Sequence, residues 1–234
     1  MNRFPWPRRI AAVASLGDEN RRRLFDFVAA ADRAVGRDDA AGALGLARST
    51  ASFHLDRLVH DGLLVVEFRK LGGKEGPGSG RPAKLYRAAV QEVSASVPER
   101  NYDLAAELLV TAIEQSAADG GSAKDALLRA ARSRGLAAAE AAGEADFAGL
   151  LAAEGYRPAD DGDGDGGLVL LNCPFHRVAQ GHEEVVCAMN GAFLGGVAAG
   201  CGVDPGRVEA LDIEELRTQG SAAPVQCCAR IRPL

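Results

Sequence analysis

The sequence predicts a mixed α/β (α+β) protein in three parts, and three observations predict it. Apolar residues recur at helical spacing through most of the chain, broken by a few short strand-like runs. The charge is split: residues 1–90 carry 16 Lys and Arg against 10 Asp and Glu, a net of +6, and the rest carry 11 against 22, a net of −11. All five cysteines, Cys173, Cys187, Cys201, Cys227 and Cys228, fall in the last third. The 234 residues suffice for two modest cores. The expected parts are residues 1–92, a helical segment over 93–154, and a small α/β domain over 155–234.

Residues 8–16 read as a short helix and 18–31 as a stronger one. Asp18 is its cap, and Leu24, Phe25, Phe27 and Val28 face a core. Arg21-Arg22-Arg23 reads as a solvated face, with DNA backbone contact as the alternative. Residues 38–45 form a helix, Leu46-Ala47-Arg48 a turn and residues 49–60 a second helix closed by Gly62. An apolar run over 63–66, a Gly/Pro-rich basic loop over 72–82 and a strand over 84–88 complete the part.

Helix, turn, helix, strand, long loop, strand is the layout of a winged helix-turn-helix, whose second helix enters the major groove of duplex DNA. That helix buries Ala51, Leu55, Leu58 and Val59 along one face. The opposite side presents Arg48, Ser49, Thr50, Ser52, Phe53 and Arg57 as candidate DNA contacts, with Asp56 among them. Lys74, Arg81 and Lys84 are the candidates of the loop and its second strand. Phe53 reads as an exposed aromatic or a partner contact, with a thymine methyl contact as the sharper alternative. His54 is expected half-buried beside Leu55. The positive excess coincides with this part, which is therefore expected to be the one that meets phosphate.

The run Leu44-Gly45-Leu46-Ala47-Arg48-Ser49-Thr50-Ala51-Ser52-Phe53-His54-Leu55-Asp56-Arg57-Leu58, followed by Asp61-Gly62-Leu63-Leu64, resembles the ArsR/MarR-like winged-helix regulators of bacteria. The segment Gly80-Arg81-Pro82-Ala83-Lys84-Leu85-Tyr86-Arg87 resembles the wing of SufR-type, iron–sulfur-responsive repressors. One departure is Ala47, where a Ser or Thr helix cap is usual. Ser49 or Thr50 is expected to cover the orphan N–H groups instead.

Residues 91–98 read as a linker. Residues 99–118 read as a long amphipathic helix through Leu104, Leu108, Leu109, Ala112 and Ile113, placed where a dimer helix belongs. A two-fold protein matches a palindromic operator with two half-sites. Ala-rich helices over 122–142 and 146–154 imply close helix approach.

Strands are expected over 156–159 and 168–172. Asp161, Asp163, Asp165 and Gly166 between them match the start of an EF-hand calcium loop. The twelfth position is Asn172, which lacks the bidentate carboxylate such a loop needs, so a solvated hairpin loop is expected. Cys173-Pro174-Phe175-His176 opens a short helical turn, and a thiol there is poised as a thiolate. Residues 183–200 form a helix in which Gly195 and Gly196 are expected to lie against a sheet. Strands are expected over 207–213 and 225–231.

Thiols clustered in a cytosolic chain point to metal or redox chemistry rather than a disulfide frame. Cys201 lies about 21 Å from Cys187 on one unbroken helix, so it is expected to be a packed small side chain. Strand alternation makes Cys227 rather than Cys228 face the Cys187 helix. Three thiols then converge, from Cys173, Cys187 and one of the terminal pair, with His176, His182 or an outside ligand as the fourth. Three packed, reduced cysteines are the plain alternative.

The segments Asn172-Cys173-Pro174-Phe175-His176, Val186-Cys187 and Gln226-Cys227-Cys228 are similar to the sensor domain of SufR-type regulators. The resemblance implies an iron–sulfur cluster on Cys173, Cys187, Cys227 and Cys228, with a site left to His176. Three thiols and a His would equally suit tetrahedral zinc. Met1-Asn2-Arg3-Phe4-Pro5-Trp6-Pro7 has no apolar signal core, and no run of about 18 apolar residues occurs. A cytoplasmic protein without a membrane segment is expected. Cys173 with His176 is the one nucleophile–base pair on offer and lacks an orienting third residue, so no enzyme is expected. The expected function is a homodimeric DNA-binding transcriptional regulator, a repressor, that senses redox, nitric oxide or iron–sulfur status. The alternative gives its last domain structural zinc or a small apolar ligand.

Overall fold

A computed structural model describes residues 4–69, 82–143, 146–162, 166–220 and 225–233. Its contacts divide the chain into two compact units, residues 1–96 and 97–234. The helical segment expected over 93–154 therefore falls, from Val97 onward, in the second unit, where its small-residue faces pack.

The first unit runs α1 (Trp6–Ser15), α2 (Glu19–Ala29), β1 (Val35–Gly36), α3 (Arg37–Leu44), α4 (Arg48–His60), β2 (Leu64–Arg69) and β3 (Ala83–Ala88). Asp18 caps α2 by accepting from the Arg21 N–H at 2.9 Å. Gly45 ends α3 at φ 66°, a left-handed backbone that glycine adopts without a Cβ penalty, and so turns the chain into α4. The strands form a three-stranded antiparallel sheet in the order β1-β3-β2. The two residues of β1 are too few for alternation to show in the sequence. Leu24, Leu55, Leu58, Leu63, Leu64 and Tyr86 fill the core. The chain end of this unit returns to its start: Trp6 Nε1 donates to the Ser96 carbonyl at 2.9 Å and Arg9 Nη1 to the Ser94 carbonyl at 3.2 Å. Two helices joined by a tight turn, backed by a third and followed by an antiparallel hairpin, give this unit a winged helix-turn-helix arrangement.

The second unit runs α5 (Tyr102–Asp119), α6 (Ala123–Ala142), α7 (Phe147–Ala153), β4 (Pro158–Asp160), β5 (Leu168–Leu170), α8 (His176–Ala179), α9 (Glu183–Gly200), β6 (Val208–Ala210), α10 (Ile213–Thr218) and β7 (Ala229–Ile231). Its sheet is antiparallel in the order β4-β5-β7-β6. Helix α9 lies between α6 and the β6–β7 side of the sheet. Phe193, Leu194 and Val197 of α9 are fully buried with Leu127 and Ala131 of α6.

Glycines set how closely α6 and α9 approach. A Cβ on Gly135 would overlap the Phe193 carbonyl oxygen, and one on Gly196 the Arg132 carbonyl oxygen. Gly196 thus faces a helix and not the expected sheet, because the Ala-rich face of α6 offers a shallow backbone groove. The strand expected over 207–213 ends at Ala210. Asp212 then caps α10 by accepting from the Glu215 N–H at 3.0 Å, so the Asp-x-x-Glu pattern acts as a helix start where strand spacing predicts further extended chain. Among the described residues no helix is long and apolar enough to cross a membrane.

Candidate nucleic-acid interface and thiol cluster

Helix α4 buries Ala51, His54, Leu55 and Leu58 and turns Arg48, Ser49, Phe53, Asp56 and Arg57 outward, with Thr50 and Ser52 half-buried between. His54 is more buried than expected, and its Nδ1 atom has no hydrogen-bond partner. Neither Ser49 nor Thr50 supplies the expected cap, since no side chain bonds the start of α4. Ala47 is the N-cap, and both hydroxyls already lie inside the first helical turn.

Each described candidate cation meets an acid. Arg48 Nε lies 2.6 Å from Asp38 Oδ1, Arg57 Nε 2.9 Å from Asp61 Oδ2 and Lys84 Nζ 2.5 Å from Asp56 Oδ1. Asp56 also accepts from the Tyr86 hydroxyl at 2.8 Å. Asp56 therefore fastens α4 to β3. Of the Arg run, Arg21 Nε donates to the Ser15 carbonyl and Arg23 Nη2 to the Leu44 carbonyl, so both serve the unit's own backbone. Lys74 and Arg81 lie outside the described residues.

Burial raises the Asp56 pKa, and the Lys84 and Tyr86 bonds more than reverse this, leaving it below the usual carboxylate value. A depressed folded-state value stabilises the fold at neutral pH, and that contribution is lost as pH falls through the carboxylate range. Asp56→Asn is expected to lower stability at pH 7 by about 1 kcal/mol. It should also flatten the acid limb of the melting temperature against pH, which a thermal-unfolding series checks.

In the second unit, backbone bonds bring the chain's end beside the loop after β5. The Cys173 N–H donates to the Val225 carbonyl at 2.9 Å, the Cys227 N–H to the Leu170 carbonyl at 2.8 Å and the Leu211 N–H to the Cys228 carbonyl at 2.8 Å. Cys187 approaches from α9. The four thiols shift one another's ionisation, Cys173 and Cys227 as one pair, Cys227 and Cys228 as a second and Cys228 and Cys187 as a third. Asn190, one turn after Cys187, donates its Nδ2 to Cys227 Sγ at 3.1 Å and to Cys228 Sγ at 3.9 Å. The buried Tyr156 hydroxyl donates to Asn190 Oδ1 at 2.5 Å, which fixes the amide with its NH₂ toward sulfur.

The thiols divide into two whose ionisation is favoured and two whose ionisation is opposed. The Cys187 and Cys227 thiols hold Cys228 down at about 4 against its burial. The Cys227 thiol likewise lowers Cys173, with help from the Phe175 N–H and the Arg100 charge. Cys187 is pushed up by Cys228, and Cys227 by Cys173 and Cys228. The lowered Cys173 pKa matches expectation, but its leading cause is a neighbouring thiol, because α8 is a single turn.

Both terminal cysteines belong to this group, and it is Cys228 whose ionisation Cys187 shifts most. The Asn190 amide of the Cys187 helix lies 3.1 Å from Cys227 Sγ and 3.9 Å from Cys228 Sγ, and both cysteines precede β7, where strand alternation does not apply. His176 is half-buried at the start of α8, and His182 is exposed at the start of α9. Cys201 ends α9, half-buried, with burial raising its thiol. Among the described residues no group of three or more His, Cys, Asp or Glu is arranged to hold a metal ion. In kind the donors fit a thiophilic metal: four soft sulfurs, with amide and backbone N–H groups aimed at them as ligand thiolates require.

Asn172 fastens this loop. Its Nδ2 donates to the Glu99 carbonyl at 2.9 Å and the Gly155 carbonyl at 2.6 Å, and Arg100 Nη1 donates to its Oδ1 at 2.5 Å and to the Cys173 carbonyl at 3.0 Å. The Asn101 N–H donates to the Pro174 carbonyl at 3.1 Å. Asp163 and Asp165 of the EF-hand-like run lie outside the described residues. A groove of about 370 Å³ between α5 and α6 has Leu104 and Leu108 beside Glu107, Gln115, Arg129 and Arg134, a polar lining unlike the apolar chamber of the alternative expectation.

No family model matches the chain, and the search of curated proteins returns no match. Among solved structures, one likeness is to a solution NMR structure from Mycobacterium bovis, described as the homodimeric winged helix-turn-helix DNA-binding domain of a possible ArsR-family transcriptional regulator. The two share 21% identity over 50% of this chain and 86% of that one, with a TM-score of 0.27. At that score the likeness supports no conclusion about this chain.

Proposed function

We propose that this protein is a DNA-binding transcriptional regulator, acting as a homodimeric repressor, with the thiol cluster as its sensor. The observation that carries the proposal is the outward face of α4, a polar helix surface with an exposed ring at its centre, fastened by Asp56 to an antiparallel hairpin. Exposed ion pairs are worth about 0–1 kcal/mol, so Arg48 and Lys84 exchange an acid for a DNA phosphate at little cost, while Arg57 keeps Asp61, whose side chain is 4% exposed.

The exposed stripe Ala106, Leu109, Val110 and Ile113 on α5 is the surface a second copy would cover. Val110 is 55% and Ile113 63% exposed, more apolar surface than a helix of a monomer needs to show water. The double variant Val110→Asp, Ile113→Asp is expected to run as a folded monomer where the unaltered protein runs as a dimer, as read by sedimentation.

Cys173, Cys187, Cys227 and Cys228 would hold an iron–sulfur cluster, which supplies one-electron redox chemistry and reactivity toward oxidants when bound. Zinc on the same thiols is the second reading, favoured by their softness and number. The test is purification without oxygen, with element analysis, a visible spectrum and retention on duplex DNA at two salt concentrations. Bound iron with visible absorption, and retention that falls with salt, are expected. A colourless protein free of iron and zinc rejects the sensor and leaves the DNA-binding half standing.

A further inference from the structure

The Phe53 ring sits on the sixth residue of α4, in the half of the helix that approaches base edges when such a helix enters the major groove. It is 66% exposed. Its orientation is nonetheless set: it meets the buried His54 ring edge-on, with centroids 5.3 Å apart and planes at 71°. A ring held in this way loses little rotamer freedom on binding.

The polar groups around Phe53 are engaged elsewhere. Ser52 is half-buried, and Asp56 holds Lys84 and Tyr86. Arg48 and Arg57, one turn or so to either side, are paired to Asp38 and Asp61. Arg57 stays with the nearly buried Asp61 carboxylate and Arg48 turns to phosphate in the reading above, so the centre of the face offers an apolar surface. In the major groove the one apolar group on a base-pair edge is the thymine C5-methyl.

We propose that Phe53 is a specificity-determining residue that packs on a thymine C5-methyl in each half-site, so that the protein selects its operator there by a methyl group. This rests on the DNA-binding role proposed above. Thymine and uracil differ by that methyl alone and pair identically, so uracil substitution isolates the contact.

The experiment selects duplexes from a random library with the full chain, then remakes the preferred duplex with uracil replacing thymine at one position at a time. At one thymine per half-site, affinity is expected to fall about four-fold, the worth of one buried methyl group. Phe53→Ala should bind the thymine and uracil duplexes equally, with its helical content unchanged because the ring is exposed. Phe68→Ala removes a second exposed ring, 70% exposed on β2, and should keep the thymine preference. Indifference of the unaltered protein to every uracil replacement, or a preference that survives in Phe53→Ala, overturns the proposal. Failure to select any duplex overturns the DNA-binding role with it.

Discussion

Gly196→Ala is expected to destabilise the second unit by about 3 kcal/mol, the upper part of the usual range for overpacked cores. The reason is what the new methyl group meets. It would fall on the Arg132 carbonyl oxygen, with the Leu136 N 3.0 Å away, and both are helix backbone atoms that cannot swing aside like a side chain. Relief requires α6 and α9 to separate, which opens the contact among Leu127, Ala131, Phe193 and Val197. A shift of about 10 °C in melting temperature is the expected reading. Gly135→Ala meets the Phe193 carbonyl from the opposite side and should behave alike. Gly191 sits on the same α9, and a methyl group there would find no atom within 4 Å. Gly191→Ala should therefore be neutral or stabilise by up to about 1 kcal/mol. Equal melting temperatures for the Gly191 and Gly196 variants would contradict the close crossing of α6 and α9.

Cys228→Ser is expected to abolish metal occupancy if the thiols hold one. Cys187 and Cys227 both lower the Cys228 thiol, and the Asn190 amide lies 3.9 Å from its sulfur. Its removal separates Cys187 from the Cys173–Cys227 pair, and the proposed ligand set splits. Cys201→Ser, at the far end of α9, should leave occupancy unchanged. Iron and zinc per chain, measured on protein purified without oxygen, give the comparison. Full occupancy in the Cys228 variant would show that any metal this protein carries sits elsewhere.

Helix positions are largely legible from spacing: Ala51, Leu55 and Leu58 mark the buried side of α4, and Asp18 marks the start of α2. The grouping of Cys173, Cys187 and the terminal pair is legible as well, because distance along one helix separates Cys201 from Cys187. What escapes depends on partners distant in the chain. The pairing of Arg48 and Lys84 with Asp38 and Asp56 needs the folded surface, as do the Tyr156–Asn190 bond and the Gly196–Arg132 contact, whereas Arg57 and Asp61 are four apart at the end of one helix. Strand alternation does not govern the terminal thiols: both precede the first residue of β7, and the Asn190 amide reaches both.

Asn172 carries a consequence for the start of the second unit. Residues 99–101 are where the polypeptide arrives from the front unit, and Glu99, Arg100 and Asn101 each bond the 172–174 loop. Cys173 and residues 99–101 are therefore held together by the Asn172 and Arg100 side chains and one main-chain bond, Asn101 N–H to the Pro174 carbonyl. A displacement of the Cys173 backbone is met first at residues 99–101 of the same unit.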